Sequence, residues 1–170
     1  SKYGYTCEEV DRSGFRNVHR YINQNASDAM DHVLAKTISG LSDYVREMAP
    51  DLIVVHGDRV EALAGATVGA LNHVLTGHVE GGEVSGTVDE LIRHAVTKLS
   101  HLHFVANDQA RQRLVQLGEH EASIHVIGSP DVDVMNSDAL PGIDEVRRRY
   151  GFDFDRYAVL AFHPVTSEQL

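Results

Sequence analysis

"DLIVVHGDRVEALAGATVGALNHVLTGHVEGGEVSGTVDELIRHAVTKLSHLHFVAN", residues 51–107, decides the fold. Three short apolar runs, "DLIVVHGD", "VLTGHVE" and "LHFVAN", alternate with two longer segments, "RVEALAGATVGALNH" and "TVDELIRHAVTKLSH". The runs have strand length and end in Asp, Glu or Asn. The intervening segments have helix length. Strand and helix alternating at this spacing means βαβ units and a parallel sheet. A continuous apolar run such as "LIVV" is expected of a strand buried on both faces. Right-handed crossovers then predict helices on both faces of the sheet.

The same rhythm extends outward. Downstream, "DQARQRLVQLG" reads as a helix ending at Gly118, "SIHVIG" as a strand, "PGIDEVRRRYG" as a short basic helix and "YAVLAFHP" as a further strand. Upstream, "NQNASDAMDHVLAKTISGLSDYVREMAPD" reads as a helix, with Met30, Val33, Leu34, Ile38, Leu41 and Val45 at three- and four-residue steps. Asn25 or Ser27 is its expected cap, and Pro50 its stop. Residues 1–25 carry no clear periodic element. "GSPDVDVMNSDALPGIDE" has linker composition. The expected organisation is therefore an incomplete Rossmann-like domain over 1–136, then a linker and the start of a second such domain over 137–170. A doubly wound domain normally opens with a strand, and this chain opens with a helix. The sequence thus reads as a piece truncated at both ends.

The 170 residues suffice for one domain with a core, and a hydrophobic fraction of 42% is that of a globular protein. No run is long and apolar enough to cross a membrane, and no signal peptide is visible. The single cysteine, Cys7, excludes an internal disulfide and suits a cytoplasmic protein. A net charge of −10 argues against broad nucleic-acid binding, which needs phosphates neutralised.

In an open parallel sheet, ligands bind beyond the carboxyl ends of the strands. Asp58 and Arg59 follow the first strand, Glu80 the second, and His163 the last. Asp89 falls in the first turn of the helix after "EGGEVSG". Thr87 and Glu90 fit a capping box that places Asp89 one residue inside it. The loop could return Glu80 and Asp89 to the same crevice as Asp58. Its glycines, Gly81, Gly82 and Gly86, would let a ligand approach the backbone. Plainer readings compete. An acid in a first helical turn stabilises the helix dipole. Asp89 also stands four residues before Arg93, an ordinary surface pair. The eleven histidines include His101 and His103 two apart and His56 and His78 on neighbouring strands. No His-x-x-x-His pair or Cys cluster accompanies them, so no metal site is expected. No dinucleotide, P-loop or nucleophile-elbow motif occurs.

"HGDRVEALAGATVGALN" followed by "HVEGGEVSGTVDELIRHAVTKLSHLHFVA", then "VIGSPDVD" and "LAFHPVT", resembles the hydrolysing UDP-N-acetylglucosamine 2-epimerases of sialic- and legionaminic-acid biosynthesis. The resemblance implies a glycosyltransferase-B-type fold of two Rossmann-like domains, with the active site in the cleft between them. It implies catalytic roles for Asp58, Glu80, Asp89 and His163, and substrate contacts from Arg59, Gly81, Gly82 and Ser85. The implied substrate is a UDP-sugar, UDP-N-acetylglucosamine or a UDP-2,4-diacetamido-trideoxyhexose. No cofactor is implied, and a homo-oligomer, dimer or tetramer, is. Non-hydrolysing relatives typically carry Glu-Ala-Gly-Leu-Arg where this chain reads "EGGEVSG". The alternatives are a non-hydrolysing epimerase, a glycosyltransferase of the same fold and a silent sugar-nucleotide-binding module.

Overall fold

Pro50 cannot continue a helix, and the residue before it avoids the helical region. In the structure, a computed structural model that describes residues 7–138 and 140–161, the long helix ends two residues earlier. Helix α1 (Cys7–Arg12) is short and wholly exposed. Helix α2 (Met30–Met48) closes on Ala49, which takes a left-handed φ of 44° and donates to the Val45 carbonyl. Neither Asn25 nor Ser27 caps its start. The cap position is Ala29, without a side-chain bond. Upstream, Asp28 accepts from the Asn25 backbone N–H at 2.8 Å and from Lys36. That closed turn postpones the helix to Met30.

Strand β1 (Leu52–His56), helix α3 (Val60–Leu71), strand β2 (Leu75–Val79), helix α4 (Val88–Lys98), strand β3 (Leu102–Val105), helix α5 (Asp108–Gln116) and strand β4 (Ile124–Val126) follow in turn. The strands are all parallel, in the order β1-β2-β3-β4. Register aligns Val55 with His78, His78 with His103, and Val105 with Val126. Side chains alternate along a strand, so these residues share one face.

That face carries the core. Val55 packs with Ala62 and Ala66 of α3 and with Ile92 and Val96 of α4. Val105 and Ile124 pack with Ala110 and Leu114 of α5. Helix α3 approaches the sheet closely because Gly65 has no side chain. A Cβ there would stand 2.6 Å from a Val55 methyl. Helix α2 lies along α3.

The other face differs from expectation. Leu52, Val54 and Leu75 point away from the core face and are 43%, 57% and 53% exposed. Helices α3, α4 and α5 all cover one side. The strand order explains this. Each right-handed crossover steps in the same direction, and helices change sides only where that direction reverses. No reversal occurs among the described residues.

Beyond β4 lie helix α6 (Pro130–Met135) and helix α7 (Ile143–Tyr150), neither with a buried residue. Helix α6 forms inside the stretch expected to be linker, with Pro at its first position, where a missing N–H costs nothing. The strand expected over 157–164 is not present in its described part. Residues 157–161 are irregular, and Val159 and Leu160 are 85% and 92% exposed. A strand needs a partner ladder, and no described strand lies beside it. Residues 162–164, with His163, fall outside the described residues. No described helix is long and apolar enough to cross a membrane.

Candidate active site

The acids singled out from the sequence cluster around the carboxyl ends of β1 and β2. After β1 the chain turns at Gly57, φ 76°, whose N–H donates to the Val79 carbonyl at 3.0 Å. Asp58 and Arg59 follow at once. After β2 the Glu80 N–H donates to the Phe104 carbonyl at 2.8 Å, so Glu80 is still on the ladder. Its φ of 73° then turns the chain sharply, a conformation costly for a residue with a side chain. The Glu80 carboxylate meets His56 Nε2 at 3.0 Å.

Asp58, Arg59 and Asp89 line one cleft of about 370 Å³, together with Gln24, Asp28 and Glu61. Glu80 is not among the lining residues. It sits at the neighbouring strand tip, paired with His56. The structure thus brings Asp58, Arg59 and Asp89 together and sets Glu80 beside them.

The loop between β2 and α4 is held by side chains from two helices, α4 and α5. Arg93 of α4 donates to the Glu83 carbonyl at 2.8 Å and to the Asp58 carboxylate. Arg113 of α5 donates to the Gly82 carbonyl at 2.9 Å. Asn107, the cap of α5, donates to the Glu83 carboxylate at 3.2 Å. Glu90 accepts from the backbone N–H groups of Ser85 and Gly86, both at 2.7 Å. Those two bonds hold the Glu90 carboxyl below its ordinary range, the Gly86 bond most strongly.

Three expectations change here. The capping box is not closed at Thr87. Glu90 reaches past it to the two residues before, because the loop presents those N–H groups first. Arg93 does not serve Asp89. It is buried in the stripe of α4 that contains Ile92 and Val96, and Asp58 is its carboxylate. Asp89 instead accepts from the Thr87 hydroxyl at 3.3 Å. At Gly81 and Gly82 the bare backbone is occupied by the protein itself. A Cβ on Gly81 would stand 3.0 Å from His78 Nδ1, and one on Gly82 would stand 2.5 Å from the Ala110 carbonyl oxygen. Ser85 and Gly86 are exposed.

His78 braces the turn that precedes Asp58. It is fully buried and bridges the β1 turn to α4. Its Nε2–H donates to the Gly57 carbonyl at 2.9 Å, so Nδ1 is the acceptor for the Thr97 hydroxyl at 3.1 Å. Burial pushes its imidazole down to about 4, against a smaller upward pull from Gly57. His103, beside it in the next strand, is likewise lowered by burial, with Glu119 at 3.3 Å opposing the effect. Among the described residues no group of three or more His, Cys, Asp or Glu side chains is arranged to hold a metal ion.

His56, Arg93 and Arg113 were not singled out as site residues by the sequence. Arg93 had a usable signal: it interrupts the apolar stripe of an amphipathic helix. His56 and Arg113 had none, since their partners are 24 and 31 residues away.

A profile of the UDP-N-acetylglucosamine 2-epimerase family matches residues 1–169. The chain belongs to the UDP-N-acetylglucosamine 2-epimerase family. It is 51% identical over 98% of its length to a UDP-N-acetylglucosamine 2-epimerase of Neisseria meningitidis serogroup B, covering 44% of that protein. It is 37% identical over 98% of its length to a hydrolysing UDP-N,N'-diacetylbacillosamine 2-epimerase of Legionella pneumophila, covering 45% of that one. The chain therefore spans less than half the length of these relatives. The solved UDP-GlcNAc 2-epimerase of Methanocaldococcus jannaschii superposes with a TM-score of 0.69 at 25% identity, over 75% of this chain and 36% of that one. The 2-epimerase family's glycosyltransferase-B-like fold is thus the fold of this chain, which covers part of it.

Proposed function

We propose that this chain carries the acidic half of the active site of a hydrolysing UDP-sugar 2-epimerase. The full protein converts UDP-N-acetylglucosamine, or a UDP-2,4-diacetamido-trideoxyhexose, to UDP and the free sugar inverted at C2. The observation that supports this most is the cleft at the strand tips. Asp58 and Asp89 line it together, and Glu80 stands beside it at the end of β2. The loop "EGGEVSG" favours the hydrolysing branch, as do relatives whose names specify hydrolysis.

The chemistry explains the residue types. The C2 hydrogen leaves as a proton to a carboxylate. Its electron pair forms the C1–C2 double bond of a glycal as the C1–O bond breaks and UDP departs. Water then adds, oxygen to C1 and a proton to the opposite face of C2. Positive charge builds at C1 as UDP leaves, and a nearby carboxylate stabilises it. Glu80 or Asp89 serves as the C2 base, and Asp58 orients and stabilises. The family resemblance assigns Arg59 to substrate binding and His163 to catalysis, where a histidine would stabilise the departing diphosphate, and Ser85 lies on the exposed part of the loop. Residues 137–170 begin the second domain. The active protein is a homo-oligomer.

The test is proton NMR of the full-length protein with UDP-N-acetylglucosamine in deuterated water. Free N-acetylmannosamine deuterated at C2, with UDP, is the expected result. UDP-N-acetylmannosamine without free sugar would establish the non-hydrolysing reaction instead. No exchange with either UDP-sugar would leave a binding module. Asp58→Asn, Glu80→Gln and Asp89→Asn are each expected to lower kcat by roughly 10²–10⁴-fold.

A further inference from the structure

Arg93 is the one Lys, Arg, Asp or Glu among the described residues that is buried. It lies in the inward stripe of α4, between Ile92 and Val96. A guanidinium cannot shed its proton, so burial demands hydrogen-bond acceptors and a counter-charge. The carboxylate supplied is Asp58, which accepts from Nη2. The other arm, Nη1, donates to the Glu83 carbonyl at 2.8 Å. Nε is buried without a partner.

The fork therefore ties two loops to one helix. One arm holds the turn after β1, and the other holds the loop after β2. Asp58 is fixed at one end by this contact while its side chain stays 26% exposed and lines the cleft. Asp89 stands one turn earlier on the same helix and lines the same cleft. Helix α4 thus carries one acid directly and sets the place of another through Arg93.

We propose that Arg93 is a positioning residue of the reaction, acting through Asp58: its two-armed contact fixes the Asp58 carboxylate against the Glu83 loop. This rests on the function proposed above. An arginine is required for it. Lysine would keep the charge, but as a single point donor it cannot hold the Asp58 carboxylate and the Glu83 carbonyl in one plane.

The experiment compares Arg93→Lys, Arg93→Met, Asp58→Asn and the double variants of the full-length protein. Initial rates with UDP-N-acetylglucosamine and thermal melting are read for each, and slow variants are followed over days by UDP release. Arg93→Lys, which retains the buried charge, is the variant expected to fold whatever Arg93→Met does. We expect it to leave KM within about threefold and to lower kcat about 10–10²-fold, the cost of a small misplacement of a reacting group. On the Asp58→Asn background the same substitution should change kcat less than about threefold, since the group it positions is gone.

A merely structural role predicts a lowered melting temperature and the same rate loss on both backgrounds. That additive result, or wild-type kcat in Arg93→Lys, overturns the inference. If Asp58→Asn is fully active while the wild type turns over, the inference falls and the function stands. If the wild type yields neither free sugar nor UDP, the function itself has failed and takes the inference with it.

Discussion

At the scale of single residues, the site is built by contacts that join distant parts of the chain. Asp58, Glu80 and Asp89 stand at positions that a strand-tip reading of the sequence selects. What holds them was less legible. Arg93 reads as a surface partner of Asp89 by spacing, yet the fold turns it inward to Asp58. His78 reads as one of several histidines, yet it is a buried brace. Its state makes stability depend on pH. The folded pKa, about 4, lies below the ordinary 6.5, so the unfolded chain binds a proton that the folded chain refuses. His78's contribution is complete above pH 6.5 and is lost as pH falls toward 4. Between pH 7 and pH 5 it amounts to about 2 kcal/mol. His78→Gln, which can still hydrogen-bond but cannot titrate in this range, is expected to show a shallower fall of the urea midpoint over that interval. An unchanged slope would place the acid sensitivity elsewhere, with His103 the next group to replace.

At the scale of elements, the loop between β2 and α4 is ordered by side chains rather than by turn chemistry. Arg113 and Arg93 hold its carbonyls, and Glu90 holds two of its N–H groups. The carboxylate acts as a late cap for the helix and as a clasp for the loop. Removing it by Glu90→Ala is expected to speed amide exchange at Ser85 and Gly86 while leaving β2 and β3 protected. Mass-resolved hydrogen exchange reads this directly. Equal exchange in both proteins would mean that the two arginines suffice. The sequence showed Thr87 and Glu90 at capping-box spacing, but not which N–H groups the carboxylate would meet. That depends on the path of a loop whose anchors lie on α4 and α5.

At the scale of the whole molecule, the sheet is unequal. One face carries α3, α4 and α5, and the other presents Leu52, Val54 and Leu75 to solvent. Parallel sheets are ordinarily covered on both faces, and a contiguous apolar patch binds hydrophobic dyes or other surfaces. The 170-residue chain by itself is expected to enhance the fluorescence of such a dye, and Val54→Lys to reduce it without lowering the melting temperature by more than a few degrees. A loss of folding in that variant would show that the face is packed. Sequence alone determined the order and type of the central elements, from Leu52 to Val126, because period and breakers are local properties of the chain. It also marked the acids at the strand tips. Tertiary structure alone decided which side the helices take, what Arg93 and His78 touch, and how Gly81 and Gly82 are filled. Those outcomes turn on strand order and on contacts between residues far apart in sequence, which no local pattern encodes.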